Sequence, residues 1–410
     1  MTSASPSGAG ASRNVALYPW FKALQNLLFW QAVWFLFFQA HLSAAEAVLL
    51  YATYDVATTL LEVPSGYMSD RLGRRVTLVA SALAGLAGAV LIGLGSGFWA
   101  FALGQILIGT GIAFASGTDS ALLYESLAAE GRADAVEAEE LKAWRFSFAA
   151  LALSAVTGGA MGAGALPFLA AALAQAGAVI LALRFTEPPR GREDFAEGEE
   201  LLRLGSLRAA FRQPVVLWIF ALSVLMYGFS HIPFVFGQPF ILEALTSSGL
   251  SAEAPLVSGA VTTVMMLISL VASAWAPRLR RRIGLGAMLL TAFGMQIALC
   301  ATLALTNGMA AIALLFLRMV PNALSRPFIV ARVQPLLGSE GRATYFSLQS
   351  LVGRLLFAAT LWLASHGTSG SGQMAYAEIQ TILGWYVAGG LLCLGALALA
   401  ARRVRIAAEG

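Results

Sequence analysis

Residues 66–75 read Gly-Tyr-Met-Ser-Asp-Arg-Leu-Gly-Arg-Arg, a charged stretch that separates two long apolar segments. These segments cover residues 46–69 and 76–96, and each is long enough to cross a bilayer as a helix. The two glycines of the stretch allow a tight turn and a close approach of helices. The stretch therefore predicts a turn between two membrane-spanning helices.

The composition extends this pattern to the whole chain. Of the 410 residues, 58% are hydrophobic and 12% are charged, whereas charged residues make up about 25% of a soluble domain. Twelve spans of roughly 20 residues need about 240 apolar residues, which is close to what the chain holds. We predict an all-α integral membrane protein with twelve transmembrane helices, at residues 17–41, 46–69, 76–96, 98–122, 142–163, 165–186, 214–243, 255–276, 285–306, 309–332, 344–365 and 381–402.

Other classes of protein fit the sequence poorly. Nucleic-acid binding is disfavoured, because the net charge is only +4 and lysine is nearly absent. Cys300 and Cys393 lie inside apolar runs, which argues against a disulfide framework and against a zinc site. An enzyme needs a catalytic constellation, and the sequence offers three dispersed histidines and no nucleophile motif.

Basic residues occur in every second connection between the predicted spans. The intervening connections contain no Lys or Arg, and they are 42–45, 97, 164, 244–254, 307–308 and 366–380. Because Lys and Arg accumulate on the cytoplasmic side, we predict that both termini and the central connection are cytoplasmic. The expected location is the bacterial inner membrane.

Three sequence matches indicate two related halves. Glu-Gly-Arg-Ala occurs at 130–133 and 340–343, and Arg145 recurs as Arg354. The pattern Arg-Leu-x-Arg-Arg at 71–75 recurs at 278–282. These offsets of 207 to 210 predict two pseudo-symmetric six-helix bundles. The predicted organisation is a disordered cytoplasmic tail at 1–15, bundles at 16–186 and 214–403, a cytoplasmic amphipathic linker at 187–213, and a tail at 404–410.

The stretch 66–75 resembles the signature between helices two and three of the major facilitator superfamily, Gly-x-x-x-Asp-Arg-x-Gly-Arg-Arg. A weaker copy falls at 273–282, where Pro277 replaces the acid and Arg280 replaces the glycine. The resemblance implies alternating access and a cytoplasmic latch. An alternative, that the arginines only anchor the topology, leaves the acid and both glycines unexplained. The implied cytoplasmic gate comprises Gly66, Asp70, Arg71, Gly73, Arg74 and Arg75, with Glu125 as the expected acidic partner and Asp119 beside it.

Further stretches are similar to those of bacterial efflux-like members of this family. They are Glu-Val-Pro-Ser-Gly at 62–66, the segment 120–126 and Gln-Pro-Phe at 238–240. The glycines at 158, 159, 162 and 164 are similar to the signature of drug:proton antiporters, although its Gly-Pro pair is missing and helix packing alone would produce such a run.

Ionisable side chains at membrane depth are costly and mark functional sites. Asp55 lies about ten residues into the second span, and Glu62 follows two helical turns later on nearly the same face. One hypothesis makes these acids the proton-coupling site, because desolvation favours the neutral carboxylic acid. The alternative is a structural ion pair across the two halves.

The family's fold places helices one, four, seven and ten around a central cavity. By that resemblance, the cavity candidates are Gln31, Trp34, Gln105, Tyr227, His231, Arg318 and Asn322. A lone histidine is more often a packing residue, and the aromatic residues near Trp34 more often contact neighbours or lipid. Intramembrane acids in the first half and Arg318, Arg326 and Arg354 in the second favour an anionic or zwitterionic small-molecule substrate.

We therefore expect a secondary active transporter that exports a drug-like or metabolite molecule by alternating access. It would use the proton gradient and need no metal or other cofactor. The alternatives are an importer of an organic anion or siderophore, with Arg318 holding the anion, and a lipid flippase of the same fold. The lipid bilayer is the other expected partner, and a monomer is expected because one chain completes the fold.

Overall fold

The computed structural model describes residues 6–188, 211–333, 336–337, 342–366, 368, 374–404 and 406. Within these ranges the chain forms helices joined by short turns, with no strand. Contacts divide it into two compact units: Met1–Glu193 with Pro255–Ala260, and Asp194–Ala254 with Val261–Gly410. Most of the predicted linker at 187–213 and of the tail at 404–410 lies outside the described residues.

The described part of the first unit contains eight α-helices. Ser43 begins the third of them with a reciprocal capping arrangement, in which Ser43 and Glu46 each bind the other's backbone N–H. The interior of the unit includes Phe21, Leu78 and Leu122, which are fully buried. The helices are α1 (Pro6–Gln25), α2 (Trp34–His41), α3 (Ala44–Leu72), α4 (Arg74–Leu94), α5 (Gly97–Ala115), α6 (Thr118–Ala129), α7 (Val136–Ala160) and α8 (Leu166–Arg184).

Eight further α-helices follow in the described remainder of the chain. Phe229 and Phe293 pack edge to face in the interior of the second unit. The helices are α9 (Pro214–Val235), α10 (Gly237–Thr246), α11 (Ala254–Ile283), α12 (Leu285–Leu305), α13 (Met309–Leu314), α14 (Val320–Val333), α15 (Arg342–Ser365) and α16 (Tyr376–Ala401). Residues Pro255–Ala260 of α11 are assigned to the first unit.

All twelve predicted spans fall on helices, and nine helices in the described residues are long and apolar enough to cross a membrane. The other three predicted spans are 17–41, which is interrupted, and 46–69 and 142–163, whose helices carry several charged residues. Large apolar side chains such as Leu173 and Trp385 are about three-quarters exposed, as expected for surfaces that face lipid. The chain is thus a multi-pass membrane protein, and the count of twelve stays a prediction.

The prediction of a disordered tail at 1–15 is wrong for the residues that the structure describes, because α1 begins at Pro6. Asn14 is 1% exposed and fixes this segment. Its Nδ2 donates to the carbonyl of Thr186 at 2.7 Å and to Ser126 Oγ at 2.9 Å. Its Oδ1 accepts the N–H of Thr186 at 2.8 Å. The middle of α1 is therefore held against the residues that directly follow α8.

Several predicted spans are broken where the sequence reads as one apolar run. The first span is interrupted between Gln25 and a 3₁₀ turn at Phe29–Ala32. At this interruption α7 approaches closely, since a Cβ at Gly158 would lie 1.9 Å from the carbonyl oxygen of Phe29. Gly158 therefore allows two segments to pack closely. This agrees with the explanation of the glycine run by helix packing alone.

The repeat needs one correction. A glycine of positive φ separates α3 from α4 (Gly73, φ 119°) and α11 from α12 (Gly284, φ 79°). These two glycines are therefore equivalent, and Arg280, which the sequence pairs with Gly73, lies inside the last turn of α11. The offset of 207 is wrong at this position, because the arginine pattern reflects charge composition whereas the glycine sets the helix break.

Candidate functional site

The connection between α3 and α4 carries a cluster of charged contacts. Arg74 Nε and Nη2 donate to Glu125 Oε1 at 3.1 and 2.9 Å, and Nη1 donates to Ser69 Oγ at 2.6 Å. Both members of the ion pair are largely buried, with side chains 16% and 23% exposed. Glu125 is the partner that the sequence predicts. We call Ser69, Arg74, Glu125 and Glu187 the gate cluster, after the cytoplasmic gate that the sequence predicts here, and its role as a gate stays a prediction.

Glu187, the last member of the gate cluster, binds the start of α4. Its Oε1 and Oε2 accept the backbone N–H groups of Arg74 and Arg75 at 2.8 and 2.9 Å. A carboxylate at this place satisfies free N–H groups and the positive end of the helix dipole. Arg75 Nη2 also donates to the carbonyl of Leu183 at 2.8 Å. The connection is thus fastened to the end of α8.

The other predicted gate residues differ in their surroundings. Arg71 is exposed and lies 5.0 Å from the ring centre of Tyr67. Gly73 makes the turn, and no described heavy atom lies within 4 Å of a Cβ built on Gly66. Asp70 lies in α3, and its side chain falls outside the described part of the chain.

Asp119 lies in a different ion pair from the one at the gate cluster. Lys22 Nζ is 2.5 Å from Asp119 Oδ2, and Oδ1 accepts the N–H of Ser120 at 2.7 Å. The Asp119 side chain is 6% exposed. The sequence pattern groups Asp119 with the gate, and the structure joins it to α1 instead.

The two predicted coupling acids both lie on α3. Asp55 is 1% exposed, and its carbonyl accepts the hydroxyl of Thr59 at 2.8 Å. Glu62 is half-buried, two turns further along the helix. A deeply buried carboxylate in a membrane helix fits a protonation site, and this role stays a prediction.

The first-unit cavity candidates lie in a densely packed region. Gln31 is half-buried in the 3₁₀ turn, and Gln105 on α5 is 4% exposed. The Trp34 ring is 1% exposed and packs 5.3 Å from the ring of Tyr51 and 6.2 Å from that of Phe38. Burial of this ring favours the packing role over a substrate contact.

In the second unit, Tyr227, His231 and Phe234 form a row along α9, which we call the α9 stripe. The rings of Tyr227 and His231 are 4.2 Å apart, and His231 Nδ1 lies 2.7 Å from the carbonyl of Tyr227. The guanidinium of Arg354 lies 5.6 Å from the ring centre of Tyr227. The guanidinium of Arg318 lies 5.0 Å from that of Phe234. Two arginines therefore stack on one aromatic row.

Arg318 lies at an irregular part of its span, between a 3₁₀ turn at Leu315–Leu317 and the start of α14. Pro321 stands in the first turn of α14, where its missing N–H costs little. Arg318 Nε also contacts Met265 Sδ at 3.1 Å. Asn322 Oδ1 accepts Gln296 Nε2 at 3.3 Å, so this candidate is held by a neighbouring helix.

Three charged residues of these clusters are not predicted as site residues from the sequence. Lys22 is the one lysine of the first apolar segment, and this alone could have marked it. Glu187 stands at the end of a span, and nothing local distinguishes it from other linker acids. The sequence marks Arg354 only as a repeat match and as one of the basic residues of the second half. Among the described residues, no group of three His, Cys, Asp or Glu could hold a metal ion.

Comparisons with known proteins agree with this architecture. The family model of the Major Facilitator Superfamily matches residues 20–361, so the chain belongs to that family. None of the curated proteins matches the sequence. A crystal structure of a mutant of the nucleoside transporter NupG has a TM-score of 0.76 at 15% identity, covering 94% of this chain and 99% of that one.

Two other solved structures are similar. A crystal structure of a mutant of the peptide transporter POT has a TM-score of 0.71 at 12% identity, with 96% of each chain covered. A bacterial homologue of the human lysosomal transporter Spinster has a TM-score of 0.67 at 16% identity, with 98% of each chain covered. Identities this low show the fold. The chain is a membrane transporter and not an enzyme.

Proposed function

We propose that this chain is a proton-coupled secondary transporter that exports a drug-like or metabolite molecule with an anionic or zwitterionic group. The observation that carries the proposal is the pair of arginines on the α9 stripe. Arg318 and Arg354 present two guanidinium groups along one helix face, with His231 between them. Guanidinium groups bind carboxylates and phosphates through paired hydrogen bonds, and aromatic faces hold them in position.

The buried acid of α3 supports proton coupling. Burying a charged carboxylate in a membrane helix is costly, and such residues recur in proton relays. Asp55 is the more deeply buried of the two acids, and Glu62 lies closer to the connection with α4. Alternating access would let these acids exchange a proton with each side of the membrane in turn.

A binding screen tests the substrate class. Purified protein is heated with a panel of organic anions, zwitterions and cations, and thermal stabilisation identifies ligands. We expect anionic or zwitterionic ligands to stabilise the wild type, and this stabilisation should be lost in Arg318→Ala. It should be largely kept in the control Arg403→Ala, because Arg403 is exposed and lies just after α16. Stabilisation by cations alone, or ligands indifferent to Arg318, would contradict the proposed class.

Proteoliposomes loaded with a pH-sensitive dye test coupling and direction. A ligand from the screen should move protons when it is added, and Asp55→Asn should abolish this flux while ligand binding remains. Flux driven by an outward substrate gradient with protons moving inward supports export. Proton movement in the same direction as the substrate would favour the organic-anion importer. Transport indifferent to the proton gradient would contradict coupling.

A lipid flippase is the second candidate, and one feature favours it. An apolar groove of about 630 Å³ runs between α9, α15 and α16, and its lining includes Phe229, Phe357 and Trp385. A groove of this kind can accept acyl chains from the side. Scrambling of fluorescent phospholipids in the same proteoliposomes would support this candidate, and its absence would exclude it.

A further inference from the structure

A cavity of about 280 Å³, whose lining mixes polar and apolar side chains, lies inside the first unit at the interruption of the first span. Water takes about 30 Å³ in the liquid, so a cavity of this size has room for several molecules, and its polar side chains could bind them. We call it the inner cavity. Its polar lining consists of Lys22, Gln25, Asn26, Ser81, Asp119 and Gln175, together with Ser116.

The Lys22–Asp119 ion pair supplies all the charge of this lining among the described residues. Both carboxylate oxygens of Asp119 have donors, from Lys22 Nζ at 2.5 Å and Ser120 N–H at 2.7 Å. Only 6% of the Asp119 side chain is exposed. Nearby, Tyr18 on α1 donates to Glu140 of α7 at 3.1 Å. The other walls, from α4, α5 and α8, contribute neutral groups.

Stability does not account for this pair. A buried ion pair seldom stabilises a protein more than a well-packed apolar pair of similar volume does. In a membrane bundle the cost of burial favours a functional role. The basic member is also a lysine, in a chain where nearly all of the 26 Lys and Arg residues are arginine. A lysine carries a compact ammonium on a flexible stem, which can change hydrogen-bond partners more easily than the planar guanidinium of arginine.

The pair is linked to the interruption of the span. The carbonyl of Lys22 accepts the N–H of Asn26 at 3.1 Å and the side-chain amide of Asn26 at 2.8 Å. These bonds form the last turn of α1, directly before the irregular segment. Beyond it lie Gln31 and Trp34. Lys22 therefore belongs, through its backbone carbonyl, to the turn that ends α1.

We propose that Lys22 and Asp119 form a proton-exchange site served by water in the inner cavity. A proton from this water binds a carboxylate oxygen of Asp119, an O–H bond forms, and the ion pair is lost. Lys22 keeps its own proton, and its ammonium turns to the amide oxygens of Gln25, Asn26 or Gln175. The charge of the site rises from zero to +1, and release of the proton to water reverses the step.

This inference rests on the proposed proton-coupled transport and adds a site separate from Asp55 and Glu62. Infrared difference spectroscopy between acid and alkaline pH tests it on the full chain in lipid nanodiscs, without any substrate. The wild type should show a component from a buried carboxylic acid, which Asp119→Asn should lose. Asp134→Asn is the matched control, because Asp134 is exposed and its substitution removes only a solvent-exposed component.

Unchanged spectra in Asp119→Asn would overturn the inference. If Asp119→Asn does not fold, the double variant Lys22→Met/Asp119→Leu replaces the pair by apolar groups and should fold. It should also lack the component that the wild type owes to Asp119. The outcomes separate the two proposals. Proton flux in proteoliposomes with an unchanged spectrum would reject this site alone, and loss of the component without any proton flux would reject the coupled function alone.

Discussion

In the first unit α3 passes into α4 through Gly73, and in the second unit α11 passes into α12 through Gly284. Both glycines take positive φ with an extended ψ, of 151° and 164°. Most of the arginines, however, lie on opposite sides of the glycine. Arg74 and Arg75 follow it and stand in the first turn of α4, whereas the arginines of the second connection, 280–282, precede it in the last turn of α11.

The difference shows that the position of an arginine in a helix determines whether it needs an acidic partner. Cations are favourable at a helix C-terminus and unfavourable at an N-terminus. The second connection therefore needs no acid, while the first is held by Glu125 and Glu187. A connection that depends on distant acids can be released when those acids move. This makes the first connection the better candidate for a gate.

Removing Arg74 should have the largest effect. Arg74→Ala deletes three side-chain hydrogen bonds and leaves Glu125 in a largely buried place. We expect a loss of about 3 kcal/mol in the free energy of unfolding, measured by SDS titration in mixed micelles. Arg281→Ala, at an exposed position of the second connection, should change it by less than about 0.5 kcal/mol. Equal losses would remove the distinction between the connections.

The glycines should behave alike in both units. Gly73→Ala and Gly284→Ala force alanine into a backbone conformation that only glycine adopts readily, at a cost of about 2 kcal/mol each in the same titration. Gly66→Ala is the control, because it lies within α3 with free space around a Cβ. It should be neutral or stabilise by up to about 1 kcal/mol. If Gly284→Ala left the free energy of unfolding unchanged, Gly284 would not be equivalent to Gly73.

Glu187 should contribute a smaller, salt-dependent amount. Glu187→Gln keeps an oxygen near the N–H groups of Arg74 and Arg75 but removes the charge, so we expect a loss of about 1 kcal/mol at low salt. The loss should shrink at high salt, because these contacts are exposed to solvent. A loss that does not vary with salt would contradict the electrostatic account of this end of α4.

The smallest effect concerns the exposed aromatic contacts next to each connection. Arg71 lies over Tyr67, and Arg278 lies over Trp275 at 5.4 Å. Arg71→Ala and Arg278→Ala should each cost about 0.5 kcal/mol in detergent. Because both pairs precede the glycine, the two values should match within the error of the titration. A clearly larger effect of Arg71 would place it in the gate cluster.

Hydropathy predicts the spans well because a helix needs about 20 predominantly apolar residues to cross the bilayer. It cannot predict where a span breaks. The segment around Asn26 and the segment before Pro321 remain apolar on average, and the breaks depend on neighbours such as Gly158. Position along the chain does predict the contact between Arg74 and Glu125, since the predicted topology puts both on the cytoplasmic side of the first half.

Other parts of the site depend on partners far apart in sequence. Lys22 and Asp119 are 97 residues apart, and Arg74 and Glu187 are 113 apart. A single sequence offers no signal that joins such residues. It does mark individual charges that lie in apolar runs, which is how Asp55 and Arg318 are predicted. Lys22 meets the same criterion, but its place near the start of a span makes it look like an ordinary flanking charge.

The hydrogen bonds between Asn14 and Thr186 can form only late in the synthesis of the first unit. The two partners are 172 residues apart, so Asn14 leaves the ribosome long before Thr186 exists. At roughly 5–20 residues per second, the wait is about 10–30 s. Until then Asn14 lacks the two backbone groups of Thr186 that it binds in the folded chain. The segment around Asn14 is therefore among the last parts of its unit to reach its final contacts, and a chain stalled before α8 would leave it open to proteases.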